Sequence, residues 1–202
     1  MSRIVVMNHV TLDGVMQGPG RADEDTRGGF RHSGWGHRTE TPPDDALQNA
    51  MGARMTAGGG LSGWLFGRRT YEDLLGYWNQ QPDSPFAPML NDTPKYVVSS
   101  TLAEPLSWPN STLLRGSIAD SVSELKLRTD GVLGIMGSGE LIGALMAADL
   151  IDEFLLMIHP LVLGSGRRLF PDELGASLRL RESAPTSAGV VIAVYERAGE
   201  AA

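Results

Sequence analysis

Three short apolar runs in this chain each break off into glycines or hydroxyls, and that recurrence restricts the fold more than any other feature. "GWLFG" (63–67) runs into "RRTYEDLLGYW", "KYVV" (95–98) into "SST", and "GVLGIM" (131–136) into "GSGELIGALM". Runs this short, bounded by turn residues, read as buried strands. The segments after the first and third carry helical spacing, with Leu141, Leu145 and Met146 recurring at that spacing in the third. Strands that alternate with helices build a parallel sheet, and ligands of such sheets sit beyond the carboxyl ends of the strands.

The remaining chain fits around that unit. "RIVVMNHV" opens with a buried type of strand, Ile4 to Met7, closed by the turn pair Asp13-Gly14. Residues 15–43 hold no steady period and read as a long loop, either a lid or binding loop or else disordered. "DDALQNAMGARM" predicts a helix capped by Asp44 or Asp45, with Leu47, Ala50, Met51 and Met55 on one face. Thr70 is the expected N-cap of the next helix, with Asp73 in its first turn. "NQQPDSPFAPMLNDTP", broken by four prolines, reads as a loop. "STLL" predicts a short strand, "SIADSVSELK" an amphipathic helix, and "IDEFLLMIHPLVLG" one or two interior strands. The tail "LRLRESAPTSAGVVIAVYER" alternates apolar and polar residues about a Pro/Ser/Gly turn, the pattern of an antiparallel hairpin. The expected architecture is α/β: a mixed, mostly parallel central sheet with helices on both faces and one antiparallel edge. It forms a single domain over residues 1–202.

Composition narrows the function. With 17 Lys and Arg against 24 Asp and Glu, the chain is acidic, which argues against a nucleic-acid partner because phosphate backbones need a basic face. The absence of cysteine removes disulfides, thiol nucleophiles and thiolate metal sites. No apolar stretch reaches the roughly 18 residues that span a membrane. The N-terminus lacks a signal-peptide pattern, so a cytoplasmic address is expected by elimination. Against the acidic background the pairs Arg68-Arg69 and Arg167-Arg168 stand out, as anion contacts or as solvated edges.

The strand ends carry the candidate chemistry. Gly67 ends one strand and the next helix opens its unpaired amides there, beside Arg68, Arg69 and the Thr70 hydroxyl; this is a ready anion site or a capped helix with exposed arginines. Ser99, Ser100 and Thr101 follow another strand, where hydroxyls meet a phosphate or ribose or simply form a turn. Gly137 and Gly139 flank Ser138 at the third, where small residues admit a pyrophosphate or a sharp turn. Position 142 is Ile, so the G-x-G-x-x-G fingerprint is not satisfied.

"TLDG", "GRRTYE", "VVSST" and "MGSGELIGALMAADLIDEFLLMIHPLVLGSGRRLF", in this order, resemble the dihydrofolate-reductase-like fold. More closely, the chain resembles the C-terminal reductase domain of the bifunctional riboflavin-biosynthesis deaminase–reductase and its stand-alone relatives. The resemblance covers residues 3 to about 196 and is most specific from Gly137 to Phe170. It implies NADPH-dependent reduction of a small molecule, usually in a homodimer. It also implies that Gly67, Arg68, Arg69 and Thr70 hold the pyrophosphate and the adenosine 2′-phosphate, and that Ser99 and Ser100 flank the adenine ribose. Gly137, Ser138, Gly139, Glu140 and Leu141 would line the pyrophosphate and nicotinamide ribose. Thr11, Asp13 and Gly14 would face nicotinamide and substrate.

Two departures follow from the same comparison. Dihydrofolate reductases keep an acid on the first helix; counting back without gaps reaches Met51, and the closest acids are Asp44 and Asp45, which argues against folate as substrate. The cysteine-dependent zinc set of the deaminase half is absent. For proton chemistry, Asp13 is the catalytic candidate and Glu140 a second. Asp13 is equally a turn former. His159 either touches substrate or is a satisfied strand-terminal residue, and His9, His32 and His37 show no metal-ligand spacing, so no metal is expected. Arg167-Arg168 meet a substrate phosphate or solvent. The expected activity is reduction of a small heterocycle or carbonyl compound, with 5-amino-6-(5-phosphoribosylamino)uracil as one candidate. The rival readings are a nucleotide-binding or ligand-sensing module without turnover, a dihydrofolate reductase, or an oligomerising scaffold.

Overall fold

The computed structural model describes residues 1–39, 45–56, 59–81, 83–84, 86–170, 172 and 174–198. The expected cap Asp44 and the side chain of Leu47 lie outside this description. The chain forms two compact units, Met1–Val5 with Arg54–Leu150, and Val6–Ala53 with Ile151–Ala202. Its strands make a mixed, mostly parallel α/β sheet with flanking helices, finished by an antiparallel hairpin.

In the first unit, β2 (Leu61–Gly67), β3 (Lys95–Val98), β4 (Ser111–Leu114) and β5 (Val132–Ile135) lie in the order β4-β3-β2-β5, followed by the start of β1 (Arg3–Thr11). The pairs β2–β3, β2–β5 and β3–β4 are all parallel, with Gly67 opposite Val98 and Trp64 opposite Gly134. Every residue of β5 and the stretch Gly63–Phe66 of β2 are buried, the continuous apolar run of a strand covered on both faces. A Cβ on Gly134 would stand 2.5 Å from the Trp64 ring, so the glycine leaves the space that the indole occupies.

The helices of this unit are α2 (Arg68–Trp78), α3 (Phe86–Asp92), α4 (Ile118–Arg128) and α5 (Gly139–Ala147). In α4, Ser117 accepts from the Asp120 amide, Asp120 lies in the first turn, and Lys126 and Arg128 lie in the last. These charges oppose the helix dipole. Helix α2 starts earlier than its sequence suggests: Gly67 is the N-cap, Thr70 lies inside the first turn, and no acid lies in that turn. Thr70 is therefore not a cap, and Asp73 falls beyond the first turn. The segment read as a loop holds α3. Its Pro88 is the third residue of that helix, where a missing N–H costs nothing because first-turn amides have no intrahelical acceptor. Ser84 Oγ accepts from the Phe86 amide at the helix start. At the other end, fully buried Lys95 donates through Nζ to the carbonyls of Leu90, Asn91 and Thr93 at 2.6, 3.0 and 2.8 Å. A lysine three residues past the helix thus satisfies its last carbonyls.

In the second unit the strand order is β1-β6-β8-β7, with β6 over Glu153–His159, β7 over Leu178–Pro185 and β8 over Val191–Arg197. The "IDEFLLMIHPLVLG" segment makes one strand. β8 pairs antiparallel with both β6 and β7, and a bulge at Leu180/Glu182 interrupts the β7 ladder. Helix α1 runs Asp45–Thr56, with Met51 and Met55 half-buried. The loop after β1 is packed: Val15, Phe30 and Trp35 form a buried cluster with Leu161 and Leu163 against it. Trp35 donates its indole N–H to the Gln17 carbonyl at 2.7 Å. The Gln17 amide in turn donates to Asp25 and to the Arg27 carbonyl, and its oxygen accepts from the Arg167 amide.

Candidate functional site

The parallel register puts the ends of β3, β2 and β5 on one edge, with Gly67 and Val98 paired at their carboxyl ends. Two of the three junctions are bonded to each other. Gly67 N–H donates to Ser138 Oγ at 3.0 Å, and Ser138 N–H donates to Thr70 Oγ1 at 2.9 Å. This reciprocal clasp fixes the first turns of α2 and α5 side by side. Ser138 adopts a left-handed conformation, φ 53° and ψ 42°, which costs a non-glycine residue about 1 kcal/mol and is held by the two bonds.

Neither α2 nor α5 has a side-chain cap, whereas α4 does. Thr70 Oγ1 and Ser138 Oγ each accept a backbone amide of the opposite junction and so cap neither helix of their own, and first-turn amides without an intrahelical acceptor are the donors that bind anions. Arg68 and Arg69 stand at this place. Arg68 pairs with Glu72 at 2.9 Å and Arg69 with Glu140 at 3.7 Å, both partly or largely exposed. Exposed pairs of this kind are worth about 0–1 kcal/mol, so a phosphate dianion competes for either guanidinium. Glu140 lies in the first turn of α5, where its charge complements the dipole.

Two glycine and serine positions have local explanations. A Cβ on Gly137 would lie 2.9 Å from Thr70 Cγ2, and its φ is +60°, so the clasp itself requires glycine there. Ser99 Oγ accepts from the amides of Thr101 and Leu102, both at 3.1 Å, forming the turn after β3. Ser100 is exposed beside it, and Leu141 is buried in the first turn of α5.

In the second unit, Thr11, Asp13 and Gly14 form the turn after β1. Thr11 Oγ1 donates to Asp13 at 2.5 Å and accepts from the Val15 amide at 3.0 Å, and Gly14 N–H donates to the Thr11 carbonyl at 2.9 Å. Asp13 also accepts from the amides of Leu163 and Gly164, at 3.2 and 2.8 Å. Partial burial would raise its pKa, but the bonds from Thr11, Gly164 and Leu163 outweigh that and lower it below the ordinary 3.8. A carboxylate so placed is a strut that joins two loops and is a poor proton donor at neutral pH. Arg168 completes the seam, its Nε donating to the Asp13 carbonyl at 3.0 Å, with its side chain exposed.

His159 ends β6 and is 1% exposed. Its Nε2 lies 2.8 Å from His9 Nδ1, and its Nδ1 lies 2.5 Å from Thr39 Oγ1. Both ring nitrogens of His159 are taken by neighbouring side chains. Burial lowers its pKa to about 4; burial together with the charges of His159 and His37 lowers that of His9 to about 3. Spacing along the chain does not associate these residues, since the two histidines lie 150 positions apart. Among the described residues, no group of three or more His, Cys, Asp or Glu could hold a metal ion, and no helix is long and apolar enough to cross a membrane.

Comparison with known proteins places this geometry. The RibD C-terminal domain family matches residues 3–192. The chain belongs to that family. Uncharacterized protein YyaP of Bacillus subtilis is 32% identical over 137 residues, 65% of this chain and 71% of that protein. Among solved structures, a Shewanella sp. PV-4 protein provisionally assigned to riboflavin biosynthesis superposes with a TM-score of 0.73 at 24% identity, covering 98% of this chain and 99% of that one. A pyrimidine reductase-like protein of Corynebacterium diphtheriae gives 0.61 at 10% identity, over 98% and 93%. The dihydrofolate reductase of Enterococcus faecalis, complexed with NADP(H), gives 0.58 at 12%, over 98% and 97%. These three establish the dihydrofolate-reductase-like fold; membership of the family supports a reductase-like function.

Proposed function

We propose that this protein is an NADPH-dependent reductase of a small heterocyclic or carbonyl substrate, with 5-amino-6-(5-phosphoribosylamino)uracil as the first candidate. The observation that carries the reading is the clasp of two uncapped helix N-termini beside Arg68 and Arg69. That donor set fits a dinucleotide diphosphate with an additional phosphate: amides for the bridging anion, guanidinium for the dianion. The opening amides of α2 and α5 would bind the pyrophosphate, Arg68 and Arg69 the 2′-phosphate, and the Ser99–Ser100 turn would border the ribose. When bound, the nicotinamide supplies hydride. The NADP(H) complex of the dihydrofolate reductase relative agrees with this choice of nucleotide. Thr11, Asp13 and Gly14 would shape the substrate side, with Asp13 holding the loop at Leu163–Gly164 in place rather than moving a proton. A homodimer in the cytoplasm, acting on a small molecule without nucleic acid or membrane, completes the proposal.

A second reading, nucleotide binding without turnover, is favoured by one observation: the best-placed carboxylate, Asp13, is committed to hydrogen bonds. One experiment separates the two. Thermal shifts with NADPH, NADH and FMN are measured first, since a bound ligand stabilises by mass action. NADPH oxidation is then followed with the phosphoribosylaminouracil as acceptor. A shift with turnover supports the reductase, a shift with every acceptor silent supports the binding module, and no shift with any nucleotide sinks both.

A further inference from the structure

The dinucleotide reading uses the ends of β2, β5 and β3 and leaves the end of β4 without a role, although β4 reaches the same edge of the first unit. The register levels three strand ends: Gly67 of β2 stands opposite Val98 of β3, and Val98 stands opposite Leu114 of β4. Ser99 N–H then donates to the Leu114 carbonyl at 3.3 Å. Arg115 therefore follows directly beside the Ser99 turn, two strands from the Gly67 clasp, or about 10 Å at the ordinary strand spacing.

The chain leaves β4 abruptly at this point. Gly116 takes φ +86°, a left-handed conformation that glycine adopts freely, and Ser117 then caps α4. A Cβ on Gly116 would meet no described atom within 4 Å, so this corner of the rim is open. Arg115 is exposed and reaches back over the turn that follows β3, where its Nη2 donates to the Leu102 carbonyl at 2.9 Å. The Leu102 amide is itself bonded to Ser99 Oγ, so the guanidinium is tied to the Ser99 turn.

The charge of Arg115 is unanswered. Arg68 faces Glu72 and Arg69 faces Glu140, whereas no carboxylate among the described residues pairs with Arg115. Its bond to Leu102 uses one of five N–H donors. A tethered guanidinium plane is weakly hydrated; it stacks on aromatic rings and donates to their nitrogens, which an ammonium does poorly.

We propose that Arg115 is a specificity-determining residue that holds the adenine base of the dinucleotide, its guanidinium against the ring and its plane fixed by Leu102. This rests on the nucleotide reading above and extends it by one strand. A nucleoside's base lies one ribose beyond its 5′-phosphate, and the edge repeats that order. The diphosphate falls at the clasp of β2 and β5, the ribose at the Ser99–Ser100 turn after β3, and the base at the end of β4. The 2′-phosphate stays with Arg68 and Arg69 in the first turn of α2, so Arg115 serves NADPH and NADH alike.

Calorimetric titration of the full chain tests this in the wild type, Arg115→Ala and Arg115→Lys. The probes are NADPH, NADH and adenosine 2′,5′-bisphosphate, which carries the base without the nicotinamide. Arg115→Ala should weaken all three by the same factor, about fivefold or more, and leave the ratio of NADPH to NADH affinity as in the wild type. Arg115→Lys should lose as much, because the ammonium keeps the charge and a donor for Leu102 but has no plane. A loss that spares NADH would put Arg115 on the 2′-phosphate and overturn the proposal. Wild-type affinity in Arg115→Lys would reduce the residue to a charge or a tie for the turn, which overturns it equally. Unchanged binding in Arg115→Ala, by either dinucleotide or the bisphosphate, overturns the adenine assignment alone. A wild type that binds neither dinucleotide overturns the nucleotide reading and this proposal with it.

Discussion

Acid should destabilise this protein well before its exposed carboxylates are protonated, because the fold holds two histidines, His9 and His159, neutral. The His159 pKa falls from 6.5 in the unfolded chain to about 4 in the fold, through burial, and that of His9 falls further to about 3. Below pH 6.5 the unfolded chain takes up protons that the folded one refuses, so stability drops as pH falls, and the loss levels off only below the folded values. For His159 alone the loss from neutral pH to about pH 4.5 is about 2.5 kcal/mol, with a slope approaching about 1.4 kcal/mol per pH unit. His9 adds in the same direction. Since domains are stable by about 5–15 kcal/mol, this is a large share of the total. Urea unfolding followed by tryptophan fluorescence at a series of pH values measures it. A His9→Gln/His159→Gln double variant should lose most of the slope between neutral pH and pH 4.5. An equal slope in wild type and double variant would refute the reasoning.

Three further outcomes are expected. Lys95→Met should cost about 2 kcal/mol or more in urea unfolding, because it leaves the carbonyls of Leu90, Asn91 and Thr93 without their cationic donor in a buried place; a neutral effect would show that water replaces the ammonium. Gly137→Ala should cost about 1–2 kcal/mol through its positive φ and its approach to Thr70, and NADPH should then give a smaller thermal shift than in the wild type. Asp13→Asn should destabilise by about 1–3 kcal/mol through the loop it ties, yet leave the pH profile of turnover unmoved; a shifted profile would restore Asp13 as an acid or base.

Much of this architecture is legible in the chain because short buried strands and helix periods are local signals. β2, β3 and β5 show as apolar runs, and the tail hairpin shows as alternation. The register that gathers their ends is not local, yet the rule for parallel sheets supplies it. What escaped the sequence depends on contacts between distant residues. Proline-rich "SPFAPMLND" reads as a loop because the helix is secured by Ser84 at one end and by Lys95 at the other. Gly137 reads as room for a ligand because nothing in the sequence shows Thr70 lying against it. Asp13 reads as an acid by its place in "TLDG", while the amides that claim it come from Leu163 and Gly164. The histidine array is invisible for the same reason: its members come from β1, β6 and the loop between β1 and α1.

The clasped edge makes its strongest claim about the nucleotide. Calorimetric titration of NADPH and NADH into the wild type and an Arg68→Ala/Arg69→Ala variant tests it most directly. The account predicts micromolar NADPH binding, at least about tenfold tighter than NADH, or about 1.4 kcal/mol, with the preference abolished in the variant. Equal affinity for the two nucleotides in the wild type, or a preference that survives the loss of both arginines, would contradict it.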